Sequence, residues 1–193
     1  MATDRTPQYL TQDEMRRLLN AIPTNTLQGK RDKALFYLAY RHGLRASEVG
    51  LLLRDDLDFK RLRITIRRLK NGHGGSYPLA PELARLLKAY LRARKDDSPY
   101  LFISNRGTPI HRTTLHVLMR KYGALAGIPE SKRHFHCLRH SAGTHFLEAT
   151  GDIAFVQDWL GHRKIQSTQV YAKVTSKYRD QKAREAFARR EIV

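Results

Sequence analysis

Cysteine is almost absent. Cys137 is the single one in 193 residues, which excludes a disulfide framework and a Cys-based zinc cluster. Acidic side chains are scarce as well: 18 Asp plus Glu stand against 36 Lys plus Arg, a formal net charge of +18. No apolar run approaches the length that spans a bilayer, and no charged-then-apolar leader follows Met1. Internal repeats, low-complexity tracts and long linkers are missing too, and the chain is long enough for one compact domain with its own core. Hydrophobic residues make up 41% of the chain, too many for a disordered basic tail. A folded domain with this excess of positive charge is expected to bind a polyanion, nucleic acid first and an anionic membrane surface second. The expected setting is intracellular and soluble.

The apolar residues recur mostly at helical spacing. Thr11-Gln12-Asp13-Glu14 reads as a capping box opening a helix to about Ala21. Further helices are expected at about Arg31 to His42, ending at Gly43, and at Ser47 to Leu53 with Ser47 as cap. The period then changes. Leu62, Ile64 and Ile66 alternate with polar residues as a half-buried strand requires, and Asn71-Gly72-His73-Gly74-Gly75 marks a turn before a return strand at Tyr77-Pro78-Leu79. Helices resume at about Pro81 to Ala93, Arg112 to Ala126, Cys137 to Thr150, Ile153 to Leu160 and Ser167 to Val174, while Tyr100 to Ile103 is a candidate third strand. The last stretch, about Ser176 to Arg190, reads as a basic helix with Tyr178 and Phe187 as its apolar handles. The expected fold is mainly α with a small antiparallel β-sheet (α+β).

Three segments carry candidate chemistry. In His42-Gly43-Leu44-Arg45-Ala46-Ser47-Glu48, Arg45 sits between two helices with Glu48 three residues on, able to brace its guanidinium; the plain alternative is a surface arginine at a turn. In the basic hairpin Arg67-Arg68-Leu69-Lys70-Asn71-Gly72, Arg67 and Arg68 are candidates for DNA-backbone contacts, as is Lys164 further on, and Lys70 at the glycine-rich tip can deliver a proton. In His136-Cys137-Leu138-Arg139-His140, His136 and Arg139 lie one helical turn apart and can face one phosphate. Leu160-Gly161-His162 ends a helix, and Tyr171 follows. The i, i+4 pair His136 and His140 lacks the glutamate of a zinc-protease helix, so no metal site is expected; His145 and His140 fit buried structural histidines better than His136 or His162 do.

In their order and spacing, Arg45 in Gly-Leu-Arg-Ala-Ser-Glu, the hairpin Lys70, the His136 to His140 box, Leu160-Gly161-His162 and Tyr171 resemble the tyrosine recombinase (phage integrase) family. The resemblance runs from about residue 9 to residue 175, and in size the chain looks most like the single-domain fimbrial-inversion recombinases. It implies site-specific DNA recombination without metal or cofactor. Tyr171 would be the nucleophile that forms a covalent 3′-phosphotyrosyl link, in preference to Tyr178. Arg45 and Arg139 would neutralise the phosphate, and His136 would take or hold the phenol's proton. His162 would orient the phosphate, Lys70 would protonate the departing 5′ oxygen, and Glu48 would support Arg45 and the strand bearing Lys70.

The same resemblance implies double-stranded DNA as partner, self-association as a tetramer on paired sites, and a cytoplasmic, nucleoid-associated protein. Residues 1–175 would form the catalytic domain; the N-terminal core-binding domain usual in the family is not expected in these residues, so the chain is either a minimal recombinase or a fragment of a longer one. Residues 176–193 would form a basic tail exchanged between subunits, with Phe187, Ile192 and Val193 as docking residues. Two rival readings use the same surface: strand relaxation of the type IB topoisomerase kind, and a non-catalytic DNA-binding regulator.

Overall fold

In a computed structural model the described residues are 8–69, 72–172, 184, 187 and 188. The first helix, α1 (Gln12–Asn20), opens on the expected capping box: Thr11 Oγ1 accepts from Glu14 N–H at 3.2 Å, and Glu14 Oε2 accepts from Thr11 N–H at 2.8 Å. The second, α2 (Leu27–Arg41), begins four residues earlier than its apolar stripe suggests. Thr26 caps it through Gly29 N–H, and Gly29 lies so near the Pro23 carbonyl that a Cβ there would stand 2.0 Å from the oxygen. Leu35, Phe36, Leu38 and Ala39 of α2 are fully buried, and the helix packs on α4 (Pro81–Ala93) and α6 (His136–Thr150).

After Gly43 the chain makes only a single helical turn, α3 (Ala46–Val49), rather than the longer Ser-capped helix expected from Ser47 to Leu53. Arg45 occupies the cap position, with Glu48 accepting its N–H. The turn ends at Gly50, where backbone approaches the Ile110 carbonyl too closely for a side chain.

Three antiparallel strands follow in the order β1 (Leu57–Asp58), β2 (Arg63–Ile66), β3 (Gly75–Pro78), with Ile64 opposite both Leu57 and Tyr77. Leu62 belongs to the β1–β2 turn, with φ 51°, because Asp58 Oδ1 gathers the N–H groups of Lys60 and Arg61 and closes the chain tightly. The expected third strand at Tyr100–Ile103 is replaced by β1. That run makes single bridges to Leu53 and Pro109 and buries Leu101 and Phe102 completely, so its apolar character reflects core packing and not a ladder.

Helices α5 (Arg112–Leu125), α6, α7 (Ile153–Leu160) and α8 (Gln166–Ala172) complete the described fold. The main core lies between α2, α4, α5 and the sheet. A smaller cluster joins Ala142 and Leu147 of α6, Val156 and Leu160 of α7, and Tyr171 of α8. Mainly α with a small antiparallel sheet is therefore the observed class. In the tail, Arg184, Phe187 and Ala188 are helical and Phe187 is 63% exposed. Tyr178, Ile192 and Val193 lie outside the described residues. Among the described residues, no helix is long and apolar enough to cross a membrane.

Candidate active site

The site forms where two helices end against each other. The C-terminal carbonyls of a helix have no partner within it and carry partial negative charge, so two such ends meeting need donors between them, cationic ones above all. Here α2 ends at Arg41 and α7 at Leu160, and Trp159 Nε1–H donates to the Arg41 carbonyl at 3.0 Å. Two arginines fill the remaining gap. Arg139, projecting from α6, donates through Nη1 to Gly43 O at 2.5 Å and through Nη2 to Leu160 O at 2.8 Å. Arg68, beyond β2, donates through Nη2 to His42 O and Trp159 O, both at 2.7 Å. Gly43 suits the junction because its φ is +56° and a Cβ would stand 2.2 Å from Leu160 Cδ2.

Arg68 was expected on the DNA-facing surface, and the structure corrects this: its side chain is 0% exposed and ties helix ends together. Nothing local in the sequence distinguishes it from Arg67, whose guanidinium pairs with Asp56 at 2.7 Å yet stays 64% exposed. Lys164 is exposed before α8. Lys70 lies outside the described residues. The residues flanking it are positioned, however: Leu69 N–H donates to Glu48 Oε1 at 3.2 Å, and a Cβ on Gly72 would stand 2.7 Å from the Gly161 carbonyl.

Glu48 organises the cations. Its carboxylate, 1% exposed, accepts from Arg45 N–H (2.9 Å), Arg45 Nη1 (2.6 Å), Arg68 Nη1 (3.1 Å) and Leu69 N–H (3.2 Å). Burial pushes its pKa up as the largest single influence, but the Arg45 amide, the Arg68 cation and the Arg45 guanidinium together hold it below the usual carboxylate value. Arg45 keeps part of its side chain open to solvent, and Arg139 is 1% exposed. Burial, then Arg45 and Arg68, lower the Arg139 pKa to about 10, which leaves it cationic at neutral pH. One carboxylate thus sits among three guanidiniums, so the pocket has a surplus of positive charge.

The histidines and the tyrosine lie within that field. His162 follows Gly161, the left-handed end of α7, and its Nδ1 is 2.9 Å from Thr168 Oγ1. Desolvation, then Arg139, Arg45 and Arg68, push its pKa down to about 3, so the ring is neutral. Tyr171 stacks nearly parallel to it, with ring centroids 6.4 Å apart. The Tyr171 ring also lies on Gly143, where a Cβ would stand 2.6 Å from its Cε2 and Cζ. The residue is 2% exposed; burial raises its pKa while Arg139 and Arg45 pull the other way. His136 opens α6 as an exposed residue whose ring is partly covered, and its pKa is lowered by desolvation and then by Arg139 and Arg45.

Arg45, Glu48, His136, Arg139, His162 and Tyr171, read from separate stretches of sequence, are therefore brought into one electropositive pocket. A seventh residue joins them. His140, read as a structural histidine, places Nδ1 3.4 Å from the Tyr171 hydroxyl and its ring edge-on to His136, with centroids 4.5 Å apart. Its spacing one turn from His136 was legible, but its direction depended on where α8 packs. His145, on the opposite side of α6, bonds Tyr40 Oη at 2.8 Å away from the pocket. Among the described residues no group of three His, Cys, Asp or Glu is placed to hold a metal ion.

The profile of the phage integrase family matches residues 8–177. The tyrosine recombinase XerA of Thermococcus onnurineus is 40% identical over 172 residues, covering 88% of this chain and 59% of that protein. The type 1 fimbriae regulatory protein FimE of Escherichia coli is 37% identical over 168 residues, covering 84% of each chain. The crystal structure of a XerA recombinase superposes with a TM-score of 0.79 at 30% identity, over 98% of this chain and 67% of that one. The chain thus spans about three fifths of the archaeal relative's length and most of FimE's.

Proposed function

This chain belongs to the phage integrase family, and from that premise we propose that it is a site-specific DNA recombinase that cuts and rejoins strands through Tyr171. The observation that supports the reading is geometric: Glu48 joins Arg45 to Arg68, Arg68 and Arg139 bond the carbonyls at the end of α7 just before His162, and the Tyr171 ring stacks on His162.

A phosphodiester resists attack because its own charge repels nucleophiles, and negative charge grows further in the transition state. Two guanidiniums neutralise that growth through paired hydrogen bonds. In the proposed step the Tyr171 Oη–P bond forms as the P–O5′ bond breaks, leaving a 3′-phosphotyrosyl link. The phenol's proton stays in the site with the neutral histidines, and Lys70 supplies one to the 5′ oxygen, which otherwise leaves as a strongly basic alkoxide. One phosphoester replaces another, so the bond energy is kept and a 5′ hydroxyl from a second duplex can reverse the reaction. His162, anchored by Thr168, orients the phosphate, and His136 meets it at the pocket mouth. Because Tyr171 is 2% exposed, the pocket must open over the phenol before phosphorus reaches it.

The partner in this reading is double-stranded DNA, held by the surplus of 18 positive charges in a salt-dependent way. Residues 1–175 act as the catalytic domain, and the basic tail from 176 is passed between subunits of a tetramer assembled on paired sites in the cytoplasm. A duplex carrying a nick beside the cut site, from which the short product diffuses away, tests the chemistry. Wild type is expected to form a covalent adduct, and Tyr171→Phe to shift the same DNA without forming one. An adduct that persists in Tyr171→Phe would move the nucleophile to Tyr178. Relaxation of supercoils without exchange between two sites would favour the topoisomerase reading.

A further inference from the structure

We propose that His140 is the first acceptor of the Tyr171 phenolic proton and holds the phenol in its pre-attack position. The inference rests on Tyr171 being the nucleophile and adds a residue that none of the five sequence boxes assigned to the chemistry. Within the described residues His140 is the hydrogen-bond partner of the Tyr171 hydroxyl, Nδ1 to Oη at 3.4 Å. A contact of that length in a protein without substrate is the kind that tightens when the reacting complex forms.

The surroundings hold both rings in register. Tyr171 is pinned between Gly143 on α6 and the His162 ring, so its hydroxyl points back along α6 toward His140, three residues before Gly143. On its other side His140 meets the edge of His136. The charged and titratable groups around it are His136, His134 and Arg139 on its own side and Tyr171 from α8. Burial and these neighbours keep the imidazole neutral, so Nδ1 has a lone pair to offer when Nε2 carries the hydrogen. No hydrogen bond joins His136 to the phenol among the described residues; its ring meets the edge of His140 instead.

The step balances simply. The phenol O–H bond breaks as its proton moves to His140 Nδ1, and the phenol oxygen's electron pair forms the bond to phosphorus. The P–O5′ pair leaves with the 5′ oxygen, which takes its proton from Lys70. On rejoining, His140 returns its proton to the phenol as the tyrosine leaves.

The test measures single-turnover adduct formation on the nicked duplex beside DNA affinity. His140→Asn keeps a polar atom near the Nδ1 position without basicity. It is expected to form adduct about 100-fold more slowly while binding DNA as wild type does. Replacing Tyr171 with trifluorotyrosine, whose phenol ionises more readily, is expected to shrink that deficit at least about tenfold, which a merely structural defect would not do. Should His140→Asn fail to fold, His140→Nδ1-methylhistidine keeps the ring and removes only the acceptor nitrogen, with the same loss expected. An adduct rate within about threefold of wild type in either variant overturns the proposal, as does a deficit indifferent to phenol acidity. Loss of adduct in Tyr171→Phe alongside an unaffected His140→Asn would sink this inference alone. An adduct in Tyr171→Phe would sink the nucleophile assignment beneath it.

Discussion

Glu48→Gln isolates the electrostatic centre of the pocket with almost no change in shape. The carboxylate receives four N–H donors, two from Arg45 and one each from Arg68 and Leu69. A glutamine has one oxygen. Whichever way its amide turns, two donors face an NH2 group, and in either orientation one of them belongs to a guanidinium. Hydrogen bonds to charged groups are worth about 1.5–3 kcal/mol each, so losing two costs about 3–6 kcal/mol. Viewed as a broken buried pair the cost is about 3–5 kcal/mol, because Arg68 is 0% exposed and no water can replace the lost partner. The two routes meet near 4 kcal/mol, a large share of the 5–15 kcal/mol of a typical domain. Urea unfolding read by the fluorescence of Trp159, the only tryptophan and a neighbour of Arg68, measures this directly. The expected outcome is a lower midpoint at unchanged slope. Glu82→Gln is the control: its partner Arg41 is 43% exposed, and a loss under about 1 kcal/mol is expected. The sign with pH follows from the lowered Glu48 pKa. Its contribution is present above the ordinary carboxylate value and is lost as pH falls through the lowered one, so Glu48→Gln also flattens the acid limb. A Glu48→Gln loss below about 1 kcal/mol would refute the reasoning, since an exposed pair would cost as little.

Gly143→Ala pushes a methyl to within 2.6 Å of the Tyr171 ring, so adduct formation should fall well before DNA affinity does, with about 1–3 kcal/mol of stability lost to overpacking; unchanged single-turnover cleavage would contradict the ring's placement. Arg68→Lys keeps the charge but cannot reach His42 O, Trp159 O and Glu48 together, and a loss of about 2–4 kcal/mol in urea unfolding is expected, against under about 1 kcal/mol for Arg67→Lys. His42 is 1% exposed with its pKa pushed down to about 4 by burial, opposed by its two carbonyl neighbours. The folded protein therefore resists protonation that the unfolded chain accepts below about pH 6.5, and acidifying to pH 5 costs about 2 kcal/mol through this residue, with none of that loss above neutrality. His42→Gln should make the stability curve shallower between pH 6.5 and 4; an identical slope would show that His42 titrates normally.

Most helices were legible because their signals are local. The Thr11 capping box, Pro81 opening α4, and Gly151 and Gly161 closing α6 and α7 act over a few residues, and the observed elements follow them closely. The structure departs from the local signals where distant chain supplies the deciding contact. Gly50 ends α3 because Ile110 is there, and the apolar run at Tyr100–Ile103 is buried core because Leu52 and Pro109 flank it.

The same division holds in the pocket. Which residue types stand at Arg45, Glu48, His136, Arg139, His162 and Tyr171, and at what spacing, is written in the linear chain, and so is the positive charge that suits it to a polyanion. Direction is not written there. Arg68 turns inward because a carbonyl ninety-one residues away, at the end of α7, lacks a donor. His140 faces the phenol because α8 rests on Gly143. A side chain's type sets what it can bond, but its partners are chosen by whichever unsatisfied groups the packed helices bring within reach.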